Sequence, residues 1–254
     1  MLFVTGDIHA RPFPRLDVAS FYEQKETKQD TDFVIICGDF GLVWDETESD
    51  REMKLLDKLE KKPFTTLFCD GNHENFDRLE KYPVEMWHGG KVHKIREHVI
   101  HLMRGQLYDL CGKKVFVFGG APSHDIQDGV LEADDPRLDE WMRSYDKMFR
   151  VNHVTWWSQE IPSKKECTEG LATLDACDWK VDYVITHELP TESMRLLCAR
   201  YKYGGVFPPN EVGEYLESIR QKLNYKCWFS GHHHEDAKLT SRDVVLYEQI
   251  VRIV

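Results

Sequence analysis

No run of apolar residues in this chain approaches the roughly 20 needed to span a bilayer. The first strand-like segment starts at Met1-Leu2-Phe3-Val4, with nothing ahead of it to serve as a secretory leader, so a cytoplasmic setting is the expectation. CxxC spacing is missing as well. The 7 cysteines are scattered and odd in number, which argues for reduced thiols, and Cys37, Cys69 and Cys227 lie inside apolar runs where they read as core filling. Nor is there a basic block: the formal net charge is -11, with acidic residues spread along the chain. A long nucleic-acid footprint needs many phosphate-neutralising cations on one face, so that partner is disfavoured and a small or locally gripped substrate fits better. Internal repeats and low-complexity segments are absent. What remains is 254 residues, 41% hydrophobic and 12% aromatic, enough to bury a substantial core as one domain, residues 1–254.

Within that chain, five short apolar runs each end in residues that bind metals. Gly6-Asp7-Ile8-His9 follows residues 2–5, Gly38-Asp39 follows 33–37, and Gly71-Asn72-His73-Glu74 follows 64–69. His187 follows 181–186, and Gly231-His232-His233-His234 follows 227–230. Polar groups at strand exits are where α/β folds keep their sites. Between the runs, residues 17–28 read as a surface helix and 46–62 as an amphipathic helix stopped by Pro63. Residues 90–119 change period and read as an antiparallel meander forming the edge of a second sheet, and 125–139 as an irregular excursion. Residues 156–177 are expected to be mainly helical after Pro162, with Ser163 and Glu166 as a capping box. Helices are expected near 192–200 and 210–223, separated by a loop with Gly204-Gly205 and Pro208-Pro209. The tail from 238 to 254 reads as two strands.

Asp7 and His9 are two apart, so in extended chain they point the same way and could hold one ion. Collected in order, the candidate ligands are Asp7, His9, Asp39, Asn72, His187, His232 and His234, with His73 beside them. Hard oxygens mixed with imidazoles and no thiolate suit Mn, Fe, Zn, Ni or Co. Seven side chains are too many for one ion, whereas two ions sharing a carboxylate would use them all. Alternation turns His233 away, toward a structural role. Arg11, close to Asp7 and His9, is a candidate phosphate contact. His124, after a Gly-Gly turn, is a candidate substrate contact, and Trp44 and Trp87 are candidates for pocket walls. Trp156, Trp157 and the remaining histidines read as packing or surface residues.

The ordered motifs Gly-Asp-x-His, Gly-Asp, Gly-Asn-His-Glu, an isolated His and Gly-His-x-His resemble the calcineurin-like metallophosphoesterase superfamily, over residues 6–234. The closer likeness is to its small, stand-alone bacterial-type members. The resemblance implies an α/β fold, a two-sheet α/β/β/α sandwich. It implies two divalent ions, manganese foremost: Asp7, His9 and His234 on the first, Asn72, His187 and His232 on the second, Asp39 bridging. A hydroxide between the ions would be the nucleophile on a phosphate ester, with His73 near the leaving group as general acid or hydrogen-bond donor. Serine/threonine phosphoprotein phosphatases of the superfamily carry an Asp and an Arg soon after the second Gly-Asp. Here the run is Phe40-Gly41-Leu42-Val43-Trp44, with neither, which argues against that activity, leaves His73 without an evident orienting group and makes Arg11 the candidate clamp. A nuclease or cyclic-nucleotide phosphodiesterase is the enzymatic alternative, and a silent scaffold the non-enzymatic one.

Overall fold

The computed structural model describes residues 1–201 and 208–254; Gly204 and Gly205 of the expected loop lie outside them. The first half of the chain builds β1 (Leu2–Thr5), β2 (Phe33–Ile36), α1 (Asp50–Glu60), β3 (Thr65–Phe68), α2 (Phe76–Leu79), β4 (Val84–Trp87), β5 (Gly90–Arg96) and β6 (Val99–Leu102). Next come β7 (Gln106–Leu110), β8 (Lys113–Phe118), β9 (Gly129–Leu131), α3 (Leu138–Trp141) and β10 (Phe149–Val151). The rest is α4 (Lys164–Ala176), β11 (Tyr183–Thr186), α5 (Thr191–Tyr201), α6 (Glu211–Lys222), β12 (Cys227–Ser230), β13 (Ala237–Lys238), β14 (Asp243–Val245) and β15 (Ile250–Arg252).

Side-chain alternation sorts these strands into four layers. In β1, Leu2 and Val4 face inward between two sheets, where they meet Tyr108, Val115, Val117, Ile185 and Phe229. Phe3 faces outward, into a cluster with Val34, Ile36, Leu56 and Leu59 that seats α1 on the first sheet. On the far side, Phe116, Phe118, Val184 and Trp228 pack against Leu174 of α4 and Val212, Leu216 and Ile219 of α6. The result is an α/β/β/α sandwich. The first sheet has the order β15-β1-β2-β3-β6-β5-β4 and the second β13-β14-β12-β11-β8-β7. In the first, β1, β2, β3 and β6 are parallel; in the second, β8, β11, β12 and β14 are.

Helix α1 starts at a capping box between Ser49 and Glu52, four residues later than the sequence reading. Helix α4 starts at the expected Ser163–Glu166 box. Four expectations about the elements, and one about a single residue, change. Residues 17–28 hold one 3-10 turn, Tyr22–Glu26, because their anchors Leu16 and Phe21 are five apart and Gln24 is buried against the carbonyls of both. The meander is divided: β5 and β6 join the first sheet, where Leu67 of β3 pairs in parallel with Ile100, while β7 and β8 join the second. The chain crosses between sheets at residues 103–105, where Gly105 has φ +71° and a Cβ would come within 2.8 Å of the Gly170 backbone in α4. The excursion contains β9, which pairs in parallel with β10 as a small separate sheet. The tail makes three short strands: β13 and β14 close the second sheet and β15 runs antiparallel to β1. Trp87 packs edge-on to Phe33, at the end of β2 opposite its Gly38-Asp39 exit, and walls no pocket at the site.

Candidate metal centre

Because the central strands of both sheets run parallel, their carboxyl ends gather on one rim of the sandwich. Asp7 leaves β1, Asp39 leaves β2, Asn72 leaves β3, His187 leaves β11, and His232 and His234 leave β12. The backbone turns sharply there. Of ten non-glycine residues with positive φ among the described residues, four are candidate ligands: His9 (42°), Asp39 (47°), His232 (70°) and His234 (51°). Such conformations are disfavoured for residues with a Cβ and concentrate where structure around them enforces a function. Two glycines give the side chains room. A Cβ on Gly71 would lie 2.1 Å from Asp39 Oδ1, and one on Gly231 would lie 2.2 Å from Asp7 Oδ1.

All seven candidate ligands converge. His234 Nε2 is 3.3 Å from Asp7 Oδ2 and 2.8 Å from His9 Nε2, and His9 Nε2 is 3.6 Å from Asp39 Oδ2. On the other side of Asp39, Oδ1 lies 3.2 Å from His187 Nε2, which is 3.3 Å from Asn72 Oδ1. Donor atoms of Asp7, His9 and His234 fall within 4.8 Å of one another, as do those of Asp39, His187 and His232. Asp39 thus turns one oxygen to each group. His187 donates Nδ1–H to the Cys37 carbonyl at 2.7 Å, which commits Nε2 to the centre. The Asn72 amide donates to Ser123 Oγ at 3.3 Å, and Ser123 in turn donates Oγ–H to Glu160 at 2.7 Å, so the amide oxygen points inward.

The electrostatics favour a cation. Burial opposes a charge on His187, yet the carboxylates of Asp39 and Asp7 push its pKa up to about 10. Asp39 is held well below the usual carboxylate range against its own burial, chiefly by His187. His232 behaves oppositely: burial and then neighbouring imidazoles lower its pKa, and its Nε2 is buried with no hydrogen-bond partner. A buried, neutral, unpartnered imidazole nitrogen beside a carboxylate is a ready ligand. The residues therefore fit a metal centre.

Other residues support the candidate ligands, and of these Glu188, Tyr247 and Arg150 were not legible in the sequence. Glu188 accepts from Leu189 N (2.6 Å), His233 Nε2 (2.9 Å) and Asn210 Nδ2 (2.9 Å), so His233 braces the loop that carries its neighbours. The His124 ring lies over His232, centroids 4.4 Å apart, and Tyr247 stacks on His234 at 4.5 Å. Glu74 accepts backbone N–H groups of Phe40 (2.7 Å) and Gly41 (3.2 Å), tying the turn after Asp39 to the turn holding His73; burial, then Asp39, raises its pKa well above the usual range. His73 donates its backbone N–H to Asp39 Oδ1 at 2.9 Å, and its Nε2 meets Arg150 Nη2 at 3.0 Å. Arginine only donates, so this nitrogen accepts and the ring is neutral with its proton on Nδ1. Burial is the main cause that lowers the pKa of His73 to about 4, with Arg150 adding to it against the raising effect of Asp39. The tripeptide Phe149-Arg150-Val151 carries no motif that could have announced Arg150.

Two clefts open beside the centre. One, of about 770 Å³, is lined by Asp7, His9, Arg11, His73, His234 and Tyr247, among others. Arg11 is exposed at its mouth and has no carboxylate within salt-bridge distance among the described residues. The other, of about 180 Å³, lies across His73 against Gly41, Leu42, Trp44 and Leu55. Trp44 tilts toward His73 at 5.8 Å between centroids and meets the buried Trp157 edge-on. No helix is long and apolar enough to cross a membrane among the described residues.

No curated protein matches the chain by sequence. The family model described as calcineurin-like phosphoesterase matches residues 2–236, a span that takes in every strand exit of the site. The chain belongs to the calcineurin-like phosphoesterases, metal-dependent hydrolases acting on phosphoric ester bonds.

Proposed function

We propose that the chain binds two divalent ions and hydrolyses phosphate esters of a small or phosphorylated substrate, residues 1–254 acting as one domain. The observation that carries this reading is Asp39, whose Oδ2 faces His9 at 3.6 Å and whose Oδ1 faces His187 at 3.2 Å. A carboxylate directed at two imidazole groups from opposite oxygens is what a bridge requires. Asp7, His9 and His234 would hold one ion, Asn72, His187 and His232 the other. Mixed oxygen and imidazole donors without thiolate suit manganese first, with Fe, Zn, Ni or Co as alternatives. When bound, such a pair supplies an activated water as nucleophile and positive charge for the phosphoryl oxygens.

The protein's own residues set what that chemistry can act on. Asp7 and Asp39 offset two of the ions' positive charges and neutral Asn72 offsets none, so the centre stays cationic and draws a phosphate anion. His73, at the junction of the two clefts, is the group we assign to the departing oxygen, as donor or general acid. Arg11 at the open mouth is assigned to the incoming anion. His124, with its ring against His232, is assigned to the substrate side of that ligand.

The test is a panel of mono-, di- and cyclic phosphate esters, including nucleotides, with protein loaded with Mn and its metal content measured. Turnover with about two ions per chain is expected. A single ion in anomalous scattering from loaded crystals, or Asp39 turned away from it, would sink the dinuclear reading. Preference for bis-p-nitrophenyl phosphate over the monoester would move the assignment to the nuclease or phosphodiesterase side.

A further inference from the structure

We propose that Arg150 is the phosphate-gripping arginine of this enzyme, delivered by the excursion between β8 and α4 and parked on His73 until substrate arrives. This rests on the hydrolase reading above and adds the residue that recognises the phosphoryl group. The run after Asp39 carries no arginine at all. Arg11, the candidate from sequence, is exposed. Arg150 is different in kind: it sits on β10 with 7% of its surface exposed, and its guanidinium is aimed by a fork of two bonds to Asp125, Nε to Oδ1 at 2.7 Å and Nη2 to Oδ2 at 3.1 Å. Nη1 donates to the Thr155 carbonyl at 3.1 Å. The remaining Nη2 proton goes to His73 Nε2 at 3.0 Å, and His73 Nε2 is itself 4.0 Å from Asp39 Oδ2.

The bond to His73 is the one that gives the role away. It occupies the nitrogen that a leaving-group donor must have free, so it belongs to a resting arrangement. A phosphoryl oxygen entering beside His73 offers Arg150 a charged acceptor in place of a neutral one, and charge-assisted bonds are about twice as strong. The exchange moves a hydrogen bond from His73 to substrate without breaking the Asp125 fork, and it releases His73 Nε2 to face the leaving oxygen. Freed from Arg150, the neutral ring moves its single proton from Nδ1 to Nε2 by exchange with solvent, so Nε2 can donate to the leaving oxygen with no net proton gained or lost. A guanidinium held rigidly before the ligand arrives gives up little entropy on binding it.

The experiment measures affinity for inorganic phosphate by calorimetry on metal-loaded protein, and kcat and KM for p-nitrophenyl phosphate, in wild type, Arg150→Gln, Arg150→Lys and Asp125→Asn, with metal content read in each. Loss of a charge-assisted contact predicts roughly 10- to 100-fold weaker phosphate binding in Arg150→Gln at unchanged metal content. A matching rise in KM, partial rescue by Arg150→Lys and a smaller loss in Asp125→Asn are also expected. Should Arg150→Gln fold and bind its metals but hold phosphate as wild type does, with only kcat reduced, Arg150 merely positions His73 and the proposal is wrong. Wild type that binds no phosphate overturns it as well. Wild type that turns over no ester, yet loses phosphate affinity on substitution at 150, retires the hydrolase reading and keeps the anion site.

Discussion

In the proposed scheme two residues carry separable parts of the activity. His73 contributes no ligand atom in the proposed scheme, and its imidazole reaches Asp39 Oδ2 only at 4.0 Å. His73→Ala is therefore expected to keep its metal content while kcat falls by roughly 10²- to 10⁴-fold, the range for losing a positioned acid or base. Elemental analysis alongside steady-state kinetics checks both halves, and an unchanged rate would remove His73 from the chemistry. Asp39→Asn tests the opposite corner. It removes the charge between His9 and His187, so fewer than two ions per chain are expected, with activity lost in proportion to the missing ion. Both residues were legible before the fold was known, since each lies within two residues of a glycine at a strand exit. Arg150 was not, because it reaches His73 from 77 residues away and its meaning is purely one of distance.

At the scale of single elements, local chemistry predicted starts better than partners. The Ser163 hydroxyl accepts from Glu166 N at 3.3 Å while Glu166 bonds back to Ser163 N at 2.7 Å, as a serine three residues before a glutamate suggests. Ser163→Ala is expected to cost about 1 kcal/mol, a fall of about 2–4 °C in melting temperature for a domain of this size. Activity should be untouched, because α4 packs on the far face of the second sheet. Differential scanning calorimetry with a parallel assay decides it. The meander shows the limit of such reasoning. Alternating residues in β5 to β8 announced four strands, but nothing in the period of two says that Ile100 sits beside Leu67 while Val115 sits beside Tyr183. Partner choice is made by which faces bury together, and that is a property of the assembled sheets.

The whole molecule holds a second polar network beneath the first. Asp70, one residue before Gly71, is buried with Arg104 Nε at 2.8 Å and His101 Nε2 at 3.1 Å, and His101 Nδ1 meets His93 Nδ1 at 3.1 Å. Despite its burial, Asp70 is held well below the usual carboxylate range, first by Arg104. His93 is lowered to about 4, chiefly by burial and next by His101, against a raising effect from Asp70. The folded protein thus binds fewer protons at His93 than the unfolded chain. Its contribution to stability is complete above the unfolded value near 6.5 and is lost as pH falls toward about 4. Urea midpoints of chelator-treated protein should therefore drop between pH 7 and pH 4, less steeply in His93→Gln than in wild type. Identical slopes would show that His93 does not titrate on unfolding. Chelation itself should lower the melting temperature at neutral pH, because ions bound only by the folded chain stabilise it by mass action. Calorimetry with and without chelator is the measurement.

The sequence alone determined the candidate ligand types, their order and the strand exits that present them. A donor set is chemistry written in residue identities, and a glycine that ends an apolar run is a local event. Only the tertiary structure decided that Asp39 faces two ways, which sheet claims each half of the meander, and that Arg150, Glu188 and Asp70 brace the centre. Those facts depend on distances between residues remote along the chain, and such distances exist only once two parallel sheets have packed face to face and brought their carboxyl ends to one rim.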